Sequence, residues 1–352
     1  ITATGPGSLG STATNGVTLA GGALHALFSA NVNVSNFLVV GAAGGELRNL
    51  GTDAQRWQMV ANRISGSGPL TLSFGTNASR FVMANAQGSF TGQWIIDSGA
   101  SGSAARLVDL NFTSGNAFGG ATGDTAIVLV NSGNILMRNG LTVGSVTQGL
   151  YLGSGRAKLE VAGTATSTIA GKISGPATNN VQFYLGNSAS VLILSNSANS
   201  WAGTAQINAG SAYGTVRLGA AGVIPDASLL ELTAVGRLDL NGYAETVGGL
   251  TGPGRVDNAA ASSSATLLVG ANNASTNFTG SMTNSGAGAT LSLVKVGSGT
   301  WTLNTTNLFY SGDTVISGGV LQISSSTNGT LGSSMTNLVR INGGALYGGF
   351  TN

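Results

Sequence analysis

The chain has 352 residues, of which only 7% are charged, 14 basic against 12 acidic, where an ordinary globular domain carries roughly 25%. Charges this sparse form no basic stripe able to neutralise a phosphate backbone, so nucleic acid is not an expected partner. The absence of cysteine excludes disulfides, thiolate catalysis and cysteine metal sites together.

The 57 glycines, with abundant Ser, Thr, Asn and Ala, would suit a linker, but 42% of residues are hydrophobic and fall in short Val/Ile/Leu runs, which disordered chains lack. No run approaches the roughly 18 apolar residues of a membrane helix, so the chain is not read as membrane-embedded. It begins at Ile1 without a methionine or a signal-peptide core, which is read as a mature or internal fragment whose targeting segment has been removed.

Residues 1–60 are the least regular part and are read as an N-terminal cap or the first coils. Ile1-Thr2-Ala3-Thr4 is strand-like, and His25, the only histidine, lies in the apolar run Ala23–Phe28. Trp57, Val60 and Ile64 fall at helical steps, yet the stretch also alternates, and strand is the preferred reading. From residue 61 to the end the chain reads strand, turn, strand, turn: Leu70/Leu72/Phe74, Val191/Ile193, Trp301/Leu303, Val315 and Leu321/Ile323 keep a period of two, separated by Gly- and Asn-rich breaks.

Internal repeats set the architecture. Ala61-Asn62-Arg63-Ile64-Ser65-Gly66 returns as Ala170-Gly171-Lys172-Ile173-Ser174-Gly175, and more weakly at Leu250-Thr251-Gly252. An aromatic-x-Gly follows each, at Phe90/Gly92, Trp201/Gly203 and Phe278/Gly280, and a fourth unit runs from Met282 to Tyr310/Gly312. A finer step separates Arg217, Arg237 and Arg255 and is taken as one coil of a β-solenoid, which predicts about 17 coils. Ile173 is expected to point into the core and Ser174 away from it.

The stretch Leu293-Val294-Lys295-Val296-Gly297-Ser298-Gly299-Thr300-Trp301-Thr302-Leu303, followed by Asn307, Tyr310-Ser311-Gly312, Thr314-Val315 and Gly318-Gly319-Val320-Leu321-Gln322-Ile323, resembles the passenger-associated (autotransporter-associated) β-strand repeat. Residues 324–352 resemble its continuation, and Ile224-Pro225-Asp226 through Leu250 resembles a segment common in such arrays; before residue 200 the likeness thins. The resemblance implies an all-β, right-handed parallel β-helix on the bacterial outer surface or secreted from it.

Few residues are candidates for chemistry. A lone His25 supplies neither a zinc ligand set nor, without partners, a catalytic triad, and the calcium nonapeptide of some β-helices is absent. No catalytic, metal or cofactor residue is therefore assigned, and no cofactor is expected. Arg237/Asp239 and Arg255/Asp257 would place two carboxylates one coil apart, near the spacing of retaining glycosidases. The adjacent arginines favour ionised carboxylates, so an outward ladder of alternating charge is the preferred reading. Phe90, Trp201, Phe278 and Tyr310 are candidates for stacking on glycans if they form an exposed row, and for packing between coils otherwise. Sequons at Asn77, Asn111, Asn273, Asn277 and Asn304 are attributed to composition. The leading expectation is a non-enzymatic fibre, stalk or coat subunit that pairs with other copies through its ends, at Ile1–Thr4 and Leu338–Leu346. The first alternative is an adhesin-type rod binding glycans or a host surface, and the second a polysaccharide lyase or hydrolase.

Overall fold

The computed structural model describes residues 2–3, 16–27, 32–34, 36–51, 56–59, 63–75, 79–99, 106–112, 118–176, 178–211, 213–324, 331–333 and 337–348. Ile1, Thr4, Phe28, Val60, Ala61, Asn62 and Asn77 lie outside them. The chain forms two compact units, residues 1–181 and 182–352, each a parallel β-solenoid.

In the first unit the chain visits three ladders in turn. One stacks Ala23–Ala26, Gly45–Asn49, Leu70–Phe74, Trp94–Asp97, Gly123–Val130, Gln148–Leu152 and Ile173–Ser174. A second stacks Val32–Val34, Arg56–Met59, Arg80–Met83, Leu107–Leu110, Asn134–Met137 and Ala157–Val161. The third begins with Gly16–Leu19, Phe37–Val40 and Ile64–Gly66. The described part of residues 1–60 thus takes part in coils, and the ambiguous segment around Trp57 is the strand Arg56–Met59.

The second unit is built likewise. Ala205–Ala209, Leu229–Leu232 and Gly249–Thr251 pair in sequence and connect through a Gly252/Phe278 bridge to Thr276–Phe278, Thr300–Leu303, Val320–Ile323 and Ala345–Gly348. Val191–Leu194, Gly214–Leu218, Gly236–Asp239, Arg255–Asp257, Ser281–Thr283 and Leu308–Phe309 form another ladder. The third holds Ala244–Val247, Ser264–Val269, Thr290–Lys295, Thr314–Ile316 and Val339–Ile341.

Parallel stacking in register turns alternation along each strand into columns across coils. Leu70, Trp94, Ile127, Leu150 and Ile173 are successive partners, and each is fully buried. Val216, Leu238, Val256, Met282 and Leu308 make the equivalent column in the second unit. Each such aliphatic side chain contributes about 1.5–3 kcal/mol of burial. Side-chain amides stitch coils together where corners leave backbone groups unpaired: Asn179 Nδ2 donates to the Leu152 carbonyl at 2.7 Å, and Gln87 Oε1 accepts the Ile64 N–H at 3.2 Å.

Two expectations change. The coil is longer and more variable than 18–20 residues: Leu72 pairs with Ile96, Ile96 with Leu129, and Leu238 with Val256, steps of 24, 33 and 18. About twelve turns result rather than 17. Strands alone must match from coil to coil, whereas corners absorb insertions freely. Ser174 is also buried, at 7% exposure beside the fully buried Ile173, because this short strand ends in a corner that covers both faces.

Candidate functional site

The aromatic-x-Gly motif is a corner. Gly66 and Gly252 take positive φ, +106° and +96°, a conformation that costs glycine little. One coil later, Phe90 and Phe278 bridge to them, so the spacing read as a larger unit is a single coil. Two residues further on, Gly92 lies over Gly68 and Gly280 over Gly254, so close that a Cβ on either would overlap the carbonyl oxygen beneath. The ring curls back under its own glycine, Phe278 Cζ lying 2.7 Å from where a Gly280 Cβ would stand. Ile64 and Ile173 lie on two different ladders, and only Gly66, not Gly175, takes positive φ, so the repeated hexapeptide marks neither a fixed face nor a single kind of turn.

Phe90, Trp201, Phe278 and Tyr310 are all fully buried. The glycan-stacking role considered for them needs an exposed ring face, and the structure gives them none. Phe90 packs edge-on to Trp94 with centroids 4.8 Å apart, and Trp201 meets Phe183 similarly at 6.1 Å. Trp201 Nε1 donates to Ser228 Oγ at 2.9 Å. The Tyr310 hydroxyl shares a 2.6 Å hydrogen bond with Thr314, and burial pushes its pKa up to about 12.

Asp239 and Asp257 are register partners, as the sequence spacing requires, but they are interior groups at 0% exposure. Each strand ends at its aspartate, and the chain then turns, swinging the carboxylate into the corner instead of outward. Asp239 Oδ1 accepts the Asn241 and Ala259 N–H groups, both at 3.0 Å, and its Oδ2 accepts Arg217 Nε at 2.8 Å. Asp257 accepts the Ser285 N–H and hydroxyl, each at 2.8 Å, and Arg237 Nη2 at 2.6 Å. The expected outward ladder of alternating charge is not what forms: Arg237 faces Arg255 and Asp239 faces Asp257 in register, the carboxylates lie inside, and the ion pairs run between coils, Arg217 directly opposite Asp239 and Arg237 diagonal to Asp257. Every carboxylate oxygen is engaged and none faces a cleft, which removes the geometric basis for a glycosidase pair. Asp109 repeats the device in the first unit: it is 1% exposed and accepts Arg138 through Nε and Nη2 at 2.7 and 3.0 Å. That hydrogen bond holds the Arg138 guanidinium above its ordinary pKa.

The buried lysine of the repeat has the complementary role. Lys295 Nζ donates to the carbonyls of Val296, Gly297 and Gly318 at 2.5, 3.1 and 3.3 Å, tying one corner to the next coil; burial lowers its pKa. His25, half-buried on the strand Ala23–Ala26, stands in register with Arg48. Among the described residues no group of three or more His, Asp or Glu side chains is arranged to hold a metal. Asn111, Asn273, Asn277 and Asn304 are exposed.

Among the described residues, Glu245 is the carboxyl whose titration is strongly displaced. It is 1% exposed and accepts the Val223 and Ile224 N–H groups at 3.0 and 3.3 Å. Burial outweighs these donors and pushes its pKa up to about 8, with the charge of Asp226 adding to the effect. The folded chain therefore holds a proton that the unfolded chain releases near pH 4.5. This contribution to stability is complete below pH 4.5 and is lost as pH rises through about 8, amounting to roughly 5 kcal/mol. The urea midpoint is expected to fall between pH 5 and pH 9, and Glu245→Gln to flatten that fall; a flat wild-type profile would contradict the assignment.

Sequence spacing gave no sign of one surface contact. Tyr213, 39% exposed, lies beneath the guanidinium of Arg255, whose Cζ is 4.8 Å from the ring centroid. The two are joined by stacking, since Gly214 pairs with Gly236 and Arg237 with Arg255. A tyrosine two coils before its arginine leaves no local pattern.

The comparisons with known proteins agree with this architecture. The passenger-associated-transport-repeat model matches residues 187–211 and 293–323, so the likeness reaches further back than the sequence reading had it. The adhesin BmaC autotransporter of Brucella suis biovar 1 (strain 1330) is 33% identical over 237 residues, covering 64% of this chain and 6% of the adhesin. No solved structure matches. The chain thus carries the passenger-associated transport repeat on a parallel β-solenoid and is a distant homologue of an autotransporter adhesin.

Proposed function

We propose that this chain is part of a non-enzymatic bacterial surface or secreted passenger whose solenoid presents its outer strand faces to a surface for adhesion. The observation that carries this reading is the match to an adhesin across 64% of the chain, on a fold whose buried chemistry is spent on corners. Loss of the glycosidase geometry at Asp239 and Asp257 supports the non-enzymatic part. Fibre formation through the solenoid ends, the leading expectation from sequence, has no counterpart in the comparisons, and the adhesive reading takes precedence over it.

Beads coated with the purified chain are expected to bind saturably to at least one member of a panel of animal, plant and bacterial cell surfaces. Beads carrying an unrelated protein of similar charge should not. Absence of saturable binding across the panel would return the chain to a purely structural role. Turnover on a polysaccharide panel would overturn the non-enzymatic reading.

A further inference from the structure

We infer that the outer face around Arg255 and Tyr213 binds a carboxylate-bearing sugar, with the Arg255 guanidinium receiving the carboxylate. The inference rests on the adhesive reading and gives it a ligand class and a place.

Five charged side chains meet on the ladder from Gly214–Leu218 to Ser281–Thr283: Arg217, Arg237 and Arg255 against Asp239 and Asp257. Asp239 is taken by Arg217 and Asp257 by Arg237, and the remaining acceptor capacity of both carboxylates goes to backbone N–H groups and Ser285. Arg255 is thus the cation left over. Among the described residues its sole hydrogen bond is a long one, Nε to Ser281 Oγ at 3.4 Å, and Asp239 and Asp257 pair with Arg217 and Arg237 instead. Its register partner Arg237 stands one rung away, about 4.8 Å, and has its charge met by Asp257, so the excess charge of the ladder rests on Arg255.

The stack on Tyr213 makes this a site rather than a stray charge. A guanidinium laid on an aromatic ring is held in plane with its N–H edge directed outward, and an edge held in this way matches the two oxygens of a carboxylate. The exposed part of Tyr213 supplies a hydroxyl and a ring edge next to it, and Ser281 a second hydroxyl. A strand face with hydroxyls around one guanidinium fork suits a sugar acid, whose carboxylate meets the fork while its hydroxyls meet those of Tyr213 and Ser281. One free guanidinium is too little for a nucleic-acid backbone.

The test is calorimetric titration of the whole chain with a galacturonic acid hexamer and, as the uncharged probe, a maltose-series hexamer. Binding of the acidic hexamer that weakens between 50 and 500 mM salt, with no binding of the neutral one, is the expected result. Arg255→Gln should weaken it at least tenfold and Tyr213→Ala severalfold, with melting temperatures unchanged, whereas Arg340→Gln, on a different ladder, should leave it intact. No binding of the acidic hexamer, equal binding of the neutral one, or full affinity in Arg255→Gln would each overturn the inference. The bead assay separates it from the parent reading: adhesion that survives in Arg255→Gln refutes this site alone. Loss of all wild-type adhesion refutes the adhesive role alone, provided the acidic hexamer still binds.

Discussion

Gly280→Ala is expected to lower the stability of the second unit by about 3 kcal/mol or more, because the added methyl has nowhere to go. Its Cβ would overlap the Gly254 carbonyl oxygen on one side and meet the Phe278 ring on the other. Neither can yield: the carbonyl belongs to the coil below, and the ring is fully buried. Overpacking a rigid site commonly costs 1–3 kcal/mol, and overlap with backbone lies at the upper end or beyond. Gly22→Ala is the internal control, since a Cβ there meets nothing within 4 Å, and its effect should stay within about 0.5 kcal/mol. Thermal or urea unfolding of the two variants checks the contrast, and comparable midpoints would show that the corner is slack.

The second large effect is an asymmetry at the Arg237–Asp257 pair. Asp257→Ala should cost about 3–5 kcal/mol, the usual penalty for stranding the partners of a buried charge, because it leaves the Ser285 N–H and hydroxyl without their acceptor and Arg237 without its anion. Arg237→Gln should cost about 1–2 kcal/mol. The carboxylate then keeps both Ser285 donors, and the arginine side chain was already 23% exposed. Amide hydrogen exchange offers the sharpest check, since neighbour-only contacts in a solenoid confine the loss to adjacent coils. Protection should fall around 283–289 in Asp257→Ala far more than in Arg237→Gln. Equal losses would mean that the carboxylate depends on its arginine instead of on the corner.

Much of the fold was legible because strands announce themselves locally. Leu70/Leu72/Phe74 and Trp301/Leu303 lie in strands where the alternation places them, Val191/Ile193 lie in a strand whose inward residues are instead Leu192 and Leu194, and the lysine-glycine stretch from Lys295 pointed to the repeat. Coil length was misread for an instructive reason. The step from Arg237 to Arg255 is the shortest among the ladder steps described above, whereas the aromatic spacing, set aside as a larger unit, was the coil itself. The fate of the aspartates was illegible because alternation predicts a side only while the strand lasts. Arg237 and Asp239 share a side by count, yet Asn241 takes φ +50° just beyond and the chain has begun to turn at the aspartate. Burial of Phe90 and Phe278 depended on a glycine two residues away making room, a fact about three-dimensional overlap that no periodicity records. The Tyr213–Arg255 contact spans two coils and was out of reach for the same reason.

The corner built from Gly66 and Phe90 has a bearing on how such chains change length. The hexapeptide around it recurs at Ile64 on one ladder and at Ile173 on another, with positive φ at Gly66 but not at Gly175, so the same residues are accommodated on different sides of the coil by different turns. Genetic duplication or deletion within the array is then not restricted to whole coils: a segment cut at one corner can be rejoined at another, and the inward columns resume with different strands on top of one another. Growth by unequal recombination meets little structural resistance under that rule, and the copies it leaves behind drift out of phase. Internal copies separated by distances that are not multiples of any one coil are the record such a history leaves, and the offset of 109 residues between Ile64 and Ile173 is of that kind.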